Sequence, residues 1–325
     1  MRRGWRRFWL WTFIGVAAIW MLVLLFAHPF FAVTNPSGGT VLVAEGWMHK
    51  EGLKAAGAQF RSGGYHHLYL TGTVRPFTYY LAAGDSIDVV FSTPRNGRLR
   101  IGSGGLPGAG LHVGVAEVPL LNIEAAKGIQ DHSLELFNTT TITISAYAPN
   151  ASKDGVPVMF VGRLLVNGEN VHAEECRITV RRADGRVEPG TPTFAHRAMV
   201  FLQQEGLALD SMTAVPTFQV HESRTYSTAR SFTAFADAHG IEQYDVATLA
   251  VHARRTWRMY RIARGDRPGA GIIALHDPWC QRWTWWTNYY GLFQVGKELI
   301  AWPAPWLIKD PDREEDPGAE ATLGA

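Results

Sequence analysis

The hydrophobic pattern divides the chain into regions of different period. An almost uninterrupted apolar run covers residues 8–31, with Thr12 and His28 as its strongly polar members. At 1.5 Å per residue, a helix of that length crosses the roughly 30 Å hydrocarbon core of a bilayer. Beyond it, residues 40–44 form a short apolar strand candidate. A helical spacing of Leu53, Ala56, Ala58 and Phe60 follows over 50–62, then a second strand over 67–70. This is a β-α-β opening. The same alternation resumes after Pro192, with helices over 193–205, 225–239, 254–264 and 287–302. Strands over 215–220, 246–251 and 271–275 lie between them. The pattern predicts an α/β domain in two pieces, 37–74 and 191–308, built on a doubly wound, mainly parallel, Rossmann-like sheet.

The intervening segment, 75–190, has period two. Short runs at 86–91, 98–101, 111–115, 141–146, 158–161 and 177–180 are separated by turn signals such as Arg95-Asn96-Gly97, Val166-Asn167-Gly168 and Ala183-Asp184-Gly185. Many short strands at this spacing predict an inserted all-β sandwich without a helix. The acidic, Pro- and Gly-containing end, 309–325, is predicted to be a disordered tail.

Charge adds an orientation. Arg2, Arg3, Arg6 and Arg7 precede the apolar run and no Lys or Arg follows it until Lys50, while Trp5, Trp9, Trp11 and Trp20 supply interfacial aromatics. Residues 1–7 are therefore expected in the cytoplasm, 8–31 as a single-pass transmembrane helix in the inner (cytoplasmic) membrane, and the remainder outside the cytoplasm. A cleaved signal peptide is the rival, but its apolar stretch is normally shorter and ends at a small-x-small site, absent here. The net charge of +2 gives no electrostatic case for nucleic acid as a partner. The two cysteines, Cys176 and Cys280, would lie where a disulfide is permitted, and no CxxC pair suggests metal.

Candidate chemistry collects after the strands. The first delivers Glu45-Gly46-Trp47, the second Thr71-Gly72-Thr73, and the third His221-Glu222-Ser223-Arg224-Thr225. The fourth delivers His252-Ala253-Arg254-Arg255 and the fifth His276-Asp277. Parallel strands bring these loops to one edge of the sheet, where α/β ligands bind. Glu45, Glu222 and His252 are the candidates for proton transfer. Trp47, Thr71, Gly72, Arg224, Thr225, Arg254 and Arg255 are the candidates for holding a ligand, the arginines favouring an anionic one. Plainer roles stay open: Glu45 or Thr225 as a helix cap, Arg224 as a surface charge, His276-Asp277 as a turn before Pro278. No Gly-x-Ser-x-Gly elbow, P-loop or His-Glu-x-x-His motif occurs.

Several of these segments resemble the ElyC/SanA/YdcF family: residues 43–47, 63–65, 71–73, 224–229, 252–256, 282–286 and 296–300, in family order. The resemblance implies an α/β fold with a pocket and a role in cell-envelope or polysaccharide biogenesis. Two departures, Glu45-Gly46-Trp47 in place of a glycine-rich loop and Thr228 in place of an asparagine, argue against nucleotide-like or methyl-donor binding. The middle segment is similar to calcium-dependent xylan- and carbohydrate-binding sandwiches at 141–146 and 160–168. That similarity implies Asn150 and Asp154 as calcium ligands, or ordinary turn formers. Tyr79, Tyr80, Phe91, Phe137, Tyr147 and Phe160 are its sugar-stacking or core aromatics. Two functional expectations follow. One is a membrane-anchored envelope protein that binds, and can process, a phosphate- or glycan-bearing ligand such as a lipid-linked saccharide. The other is a non-catalytic carbohydrate-binding or scaffolding protein that uses the insert. Trp279, Trp283, Trp285 and Trp286 are either a docking surface or core.

Overall fold

The computed structural model describes residues 2–115, 118–126, 128–149, 155–220 and 223–303. Asn150, Asp154, Glu222, His221 and the 309–325 tail lie outside the described residues. The chain forms two compact units, one of residues 1–73 with 198–325 and the other of 74–197.

The first unit begins with α1 (Arg2–Phe31), whose stretch Phe8–Phe31 is long and apolar enough to cross a membrane. Then come β1 (Val41–Glu45), α2 (Lys50–Ser62) and β2 (His67–Thr73). The second unit carries β3 (Tyr79–Ala82), β4 (Ser86–Gly105), β5 (Gly110–Val115), β6 (Val118–Glu124), β7 (Gln130–Tyr147), β8 (Pro157–Val166), β9 (Glu169–Asn170), β10 (Cys176–Arg181) and β11 (Val187–Pro189). After α3 (Phe194–Gln204), the first unit continues with β12 (Met212–Thr217), α4 (Arg224–Ala238), β13 (Tyr244–Leu249), α5 (Ala253–Ala263), β14 (Ala270–Leu275) and α6 (Tyr289–Ala301).

Among the described residues of the first unit, five strands pair in parallel in the order β12-β2-β1-β13-β14. β1 and β13 are buried at every residue, which is why their sequences are mostly apolar on both faces and do not alternate, with Glu45, Asp245 and Thr248 as their polar members. Alternate side chains feed opposite cores. Leu42, Ala44, Leu68, Leu70, Ala247 and Leu249 meet Leu53 and Ala56 of α2 and Ala198 and Leu202 of α3. Val41, Val43 and Val246 meet Tyr226, Ala229 and Phe232 of α4 and Met259 and Tyr260 of α5 on the other face. The third strand lies at 212–217, not 215–220. Phe218 and Val220, whose alternation suggested strand, are half-exposed beyond its end, and Pro216 is tolerated because β12 is the edge.

After α1 the chain turns back along the outer edge of β14. Asn35 and Ile272 exchange both backbone hydrogen bonds, at 2.8 and 2.9 Å, and Thr34 Oγ1 accepts from Ala274 N. Ser37 N then donates to Asp245 Oδ1 at the start of β13. The end of α1 is thereby fixed at the C-terminal edge of the parallel sheet.

Among the described residues of the second unit, hydrogen bonds join nine antiparallel strands into one sheet. The segments 86–91 and 98–101, expected as separate strands, belong to the single long β4. Arg95-Asn96-Gly97 is an irregularity in its pairing with β7, not a hairpin turn. Gly97 has φ 113°, and a Cβ there would meet Asn167 Oδ1 at 2.0 Å; turn residues also serve bulges. Among the described residues no α-helix covers this sheet. It buries Ile87, Val89, Leu99, Ile101, Leu111, Ile142, Ile144 and Val161 in one core. Cys176 and Cys280 are free thiols.

Candidate functional site

The strand order reverses between β1 and β13, and the sequence places its charged residues at the C-terminal ends of these two strands. Glu45 ends β1 with 1% exposure. Its Oε2 accepts from Thr256 Oγ1 at 3.2 Å. One turn along α5, on the same face, the fully buried Tyr260 hydroxyl lies 3.5 Å from Thr71 Oγ1 at the end of β2. Burial, followed by the Glu45 charge, drives the Tyr260 phenol well above its usual pKa, so it stays a neutral donor.

Past β13 the chain enters a 3-10 turn, Ala250–His252, through a strained residue: buried Ala250 has φ 26°. Non-glycine residues held there concentrate at functional sites. The turn presents His252, 3% exposed, against the edge of the Trp47 ring, with centroids 4.9 Å apart. His252 Nδ1 lies 2.6 Å from Glu298 Oε1 of α6. Nε2 lies 3.1 Å from Gln294 Oε1 and 3.5 Å from Lys297 Nζ. A carboxylate on one ring nitrogen favours the proton there and leaves the other nitrogen as the exchangeable one.

Glu298, wholly buried, also receives Arg255 in a two-point pair: Nε to Oε2 at 2.7 Å and Nη2 to Oε1 at 3.0 Å. Burial alone would raise the Glu298 pKa. The hydrogen bonds and charges of His252 and Arg255 outweigh it and lower the value to about 2. Arg255 Nη1 reaches Thr225 Oγ1 at 3.4 Å, tying in the first turn of α4. Lys297, one residue before Glu298, reaches His252 through its long side chain and has its pKa lowered by burial, against the pull of Glu298 and Glu45. Among the described residues it makes no carboxylate contact within ion-pair distance.

The structure therefore brings together Glu45, Trp47, Thr71, Thr225, His252 and Arg255 of the expected set. Gly72 continues β2, paired with Pro216 of β12, and Arg224 is exposed at the start of α4. Three expectations need correction. Arg254 is not part of this cluster: successive helix residues diverge by about 100°. Its Nε donates to Phe30 O, and its guanidinium stacks 4.3 Å from the Phe30 ring centroid, at the end of α1. Thr225 is not a cap, because Ser223 Oγ accepts from Tyr226 N as the N-cap of α4. Arg255 is not a free cation, being matched by Glu298. The four tryptophans divide: Trp285 is buried and Trp286 packs against its cluster, whereas Trp279 and Trp283 are 48% and 58% exposed.

Asp277 forms a neighbouring node. It accepts from Trp279 N at 3.0 Å and from Tyr290 Oη at 3.3 Å, and lies 3.7 Å from His49 Nε2. His49 Nδ1 caps α2 by accepting from Gly52 N. In the second unit Tyr79 and Phe91 are core, while Tyr80 and Phe137 are 60% and 80% exposed. Among the described residues no three His, Cys, Asp or Glu side chains group as metal ligands.

Sequence reasoning missed Gln294, Lys297, Glu298, Thr256 and Tyr260 as site residues. The signal was present in α6: polar residues at i, i+3 and i+4 on an otherwise apolar helix. The chain matches no family model, no curated protein and no solved structure. The ElyC/SanA/YdcF resemblance thus stands on its quoted residues alone.

Proposed function

We propose that this protein is a membrane-anchored, extracytoplasmic α/β protein of envelope or polysaccharide biogenesis. It binds an anionic, phosphate- or glycan-bearing ligand where the strand order reverses. We read its parallel sheet as doubly wound and Rossmann-like, with helices on both faces, and the 74–197 unit as an inserted sandwich-like module. The observation that carries the proposal is the constellation at that point of buried Glu45, His252 and Glu298 with partly buried Arg255 and Lys297. Burying three ionisable groups and half-burying two more is costly and adds nothing the hydrophobic cores need, and ligands of open α/β sheets bind at this edge. Lys297 is the cation without a direct carboxylate contact and meets the anion. His252 Nε2 and Glu45 are the proton carriers for any reaction on it, with Trp47 as the movable cover.

The test is calorimetric binding of inorganic phosphate and of a phosphorylated disaccharide to the full chain in detergent. Lys297→Met is expected to weaken one of these at least tenfold, and Glu45→Gln to leave binding within a few-fold. Equal affinity of wild type and Lys297→Met for both, or binding of neither, sinks the reading. The exposed Phe137 and Tyr80 favour a second, non-catalytic reading in which the middle unit binds glycan. Glycan binding that survives Lys297→Met but is lost in a Phe137→Ala/Tyr80→Ala double variant would select it.

A further inference from the structure

α6 is inside out for a helix in water. Glu298 is fully buried and Gln294 and Lys297 face the site, whereas the opposite face exposes Tyr289 (82%), Phe293 (52%), Leu299 (47%) and Ile300 (84%). Trp279 and Trp283 extend this apolar surface from the preceding loop. A groove of about 410 Å³ runs between α6 and α1, lined almost entirely by apolar atoms: Val16, Ile19, Trp20 and Val23 on one wall, Leu292, Gly296 and Leu299 on the other.

The groove fixes the depth of α6. Val16–Val23 is the middle of the apolar stretch Phe8–Phe31 and rises about 10 Å along the helix axis. Whatever surrounds these α1 residues surrounds Leu292 and Leu299 as well, because they share one groove. We infer that α6 and the Trp279–Trp283 loop lie in the membrane, α6 being a monotopic helix whose outer face contacts lipid, with an acyl chain filling the groove. At 13 residues it is too short to span. Its polar face, carrying Lys297 and Glu298, is shielded from hydrocarbon by the sheet edge, and its exposed aromatics suit the interfacial belt. The cluster around Glu45 and His252 is held beside the end of α1, where Arg254 donates to Phe30 O and Trp302 packs on the Phe30 ring, so it lies at headgroup level while Leu292 and Leu299 reach deeper along α1, and its ligand is the headgroup of a membrane lipid. This last step rests on the ligand reading above, whereas the burial of α6 rests on α1 spanning the bilayer.

The experiment uses the full chain in nanodiscs of phosphatidylcholine and phosphatidylglycerol. Nitroxides are placed singly at Phe293→Cys, Ile300→Cys, Ile19→Cys and, as an aqueous reference on α3, Gln203→Cys. All are made in a Cys176→Ser background with buried Cys280 retained, and each variant is qualified by a wild-type circular dichroism spectrum. Labels at 293 and 300 are expected to collide with oxygen and to be shielded from a water-soluble nickel chelate, as at position 19. Accessibility to the chelate equal to that at 203 overturns the inference. So does shielding from both reagents, which would mean that a second copy or another protein covers α6. Adding Lys297→Met leaves the expected pattern unchanged, so loss of ligand binding and loss of membrane contact are read separately. A label at 19 that is itself open to the chelate would locate the failure in α1.

Discussion

Arg255 and Glu298 meet through two parallel contacts of 2.7 and 3.0 Å, with the carboxylate wholly buried. Removing one member of such a pair leaves the other charge stranded. Glu298→Gln is expected to cost roughly 3–5 kcal/mol, measured by urea unfolding followed through tryptophan fluorescence. A loss below about 1 kcal/mol would show that the pair is solvated in solution.

The same carboxylate sets an acid limit. Glu298 titrates near 2 in the folded protein against an ordinary 4.5. A depressed folded pKa means stability that is complete above pH 4.5 and is lost as pH falls toward 2, amounting to about 3 kcal/mol. Unfolding midpoints between pH 4.5 and 2 should fall for wild type and stay flatter for Glu298→Gln.

His172 in the second unit produces a separate window. Burial, outweighing the hydrogen bond to Arg75 O, lowers its pKa from 6.5 to about 4. The neutral ring sits between that carbonyl at 3.2 Å and the Tyr79 hydroxyl at 3.0 Å. Stability is full above pH 6.5 and declines as pH falls to 4, because the unfolded chain takes up the proton first. Replacing it as His172→Gln should flatten the stability profile over that interval. An unchanged slope would assign the loss elsewhere.

Ala250 at φ 26° should behave unlike an ordinary buried alanine. Relief of strain offsets the entropy of glycine, so Ala250→Gly is expected to be neutral or stabilising by a few tenths of a kcal/mol. In contrast, Ala229→Gly in α4 should cost about 1 kcal/mol. Equal losses at both positions in thermal unfolding would dismiss the strain.

Gly271 should tolerate no side chain. A Cβ there would stand 2.0 Å from Asp245 Oδ1 and 2.2 Å from Ser37 N. It would break the bonds that Asp245 accepts from Ser37 N and the Tyr65 hydroxyl. Gly271→Ala should lose at least about 2 kcal/mol, and a wild-type melting temperature would contradict this packing.

The hydrophobic pattern located α1 and α2 closely because each is a long stretch with one strong character, and β1 and β13 to within two residues because apolar residues dominate both of their faces. It misplaced β12, where exposed Phe218 and Val220 imitate a strand, and divided β4, where a bulge uses the residues of a turn. The site was legible as to strand ends: Glu45, His252 and Arg255 converge as parallel topology requires. Which arginine turns inward was not legible, because Arg254 and Arg255 differ only by one step of helix rotation. Nor was the partner, because Glu298 lies 43 residues beyond Arg255 and only packing of α6 on the sheet edge brings them together. Neither the occupancy of the site nor its substrate class was written in any local motif.

The exchange of backbone hydrogen bonds between Asn35 and Ile272 means that the segment after α1 has no slack. A flexible linker of similar length would let the domain roam some 15 Å from its anchor. Here the connection is stitched to the sheet, so a helix held in a bilayer holds the domain in one posture as well. Such a domain does not fish in the surrounding volume. Under the proposed anchoring, a ligand carried in the bilayer would diffuse in two dimensions past a fixed opening, and its working concentration would be set by its density in the membrane plane.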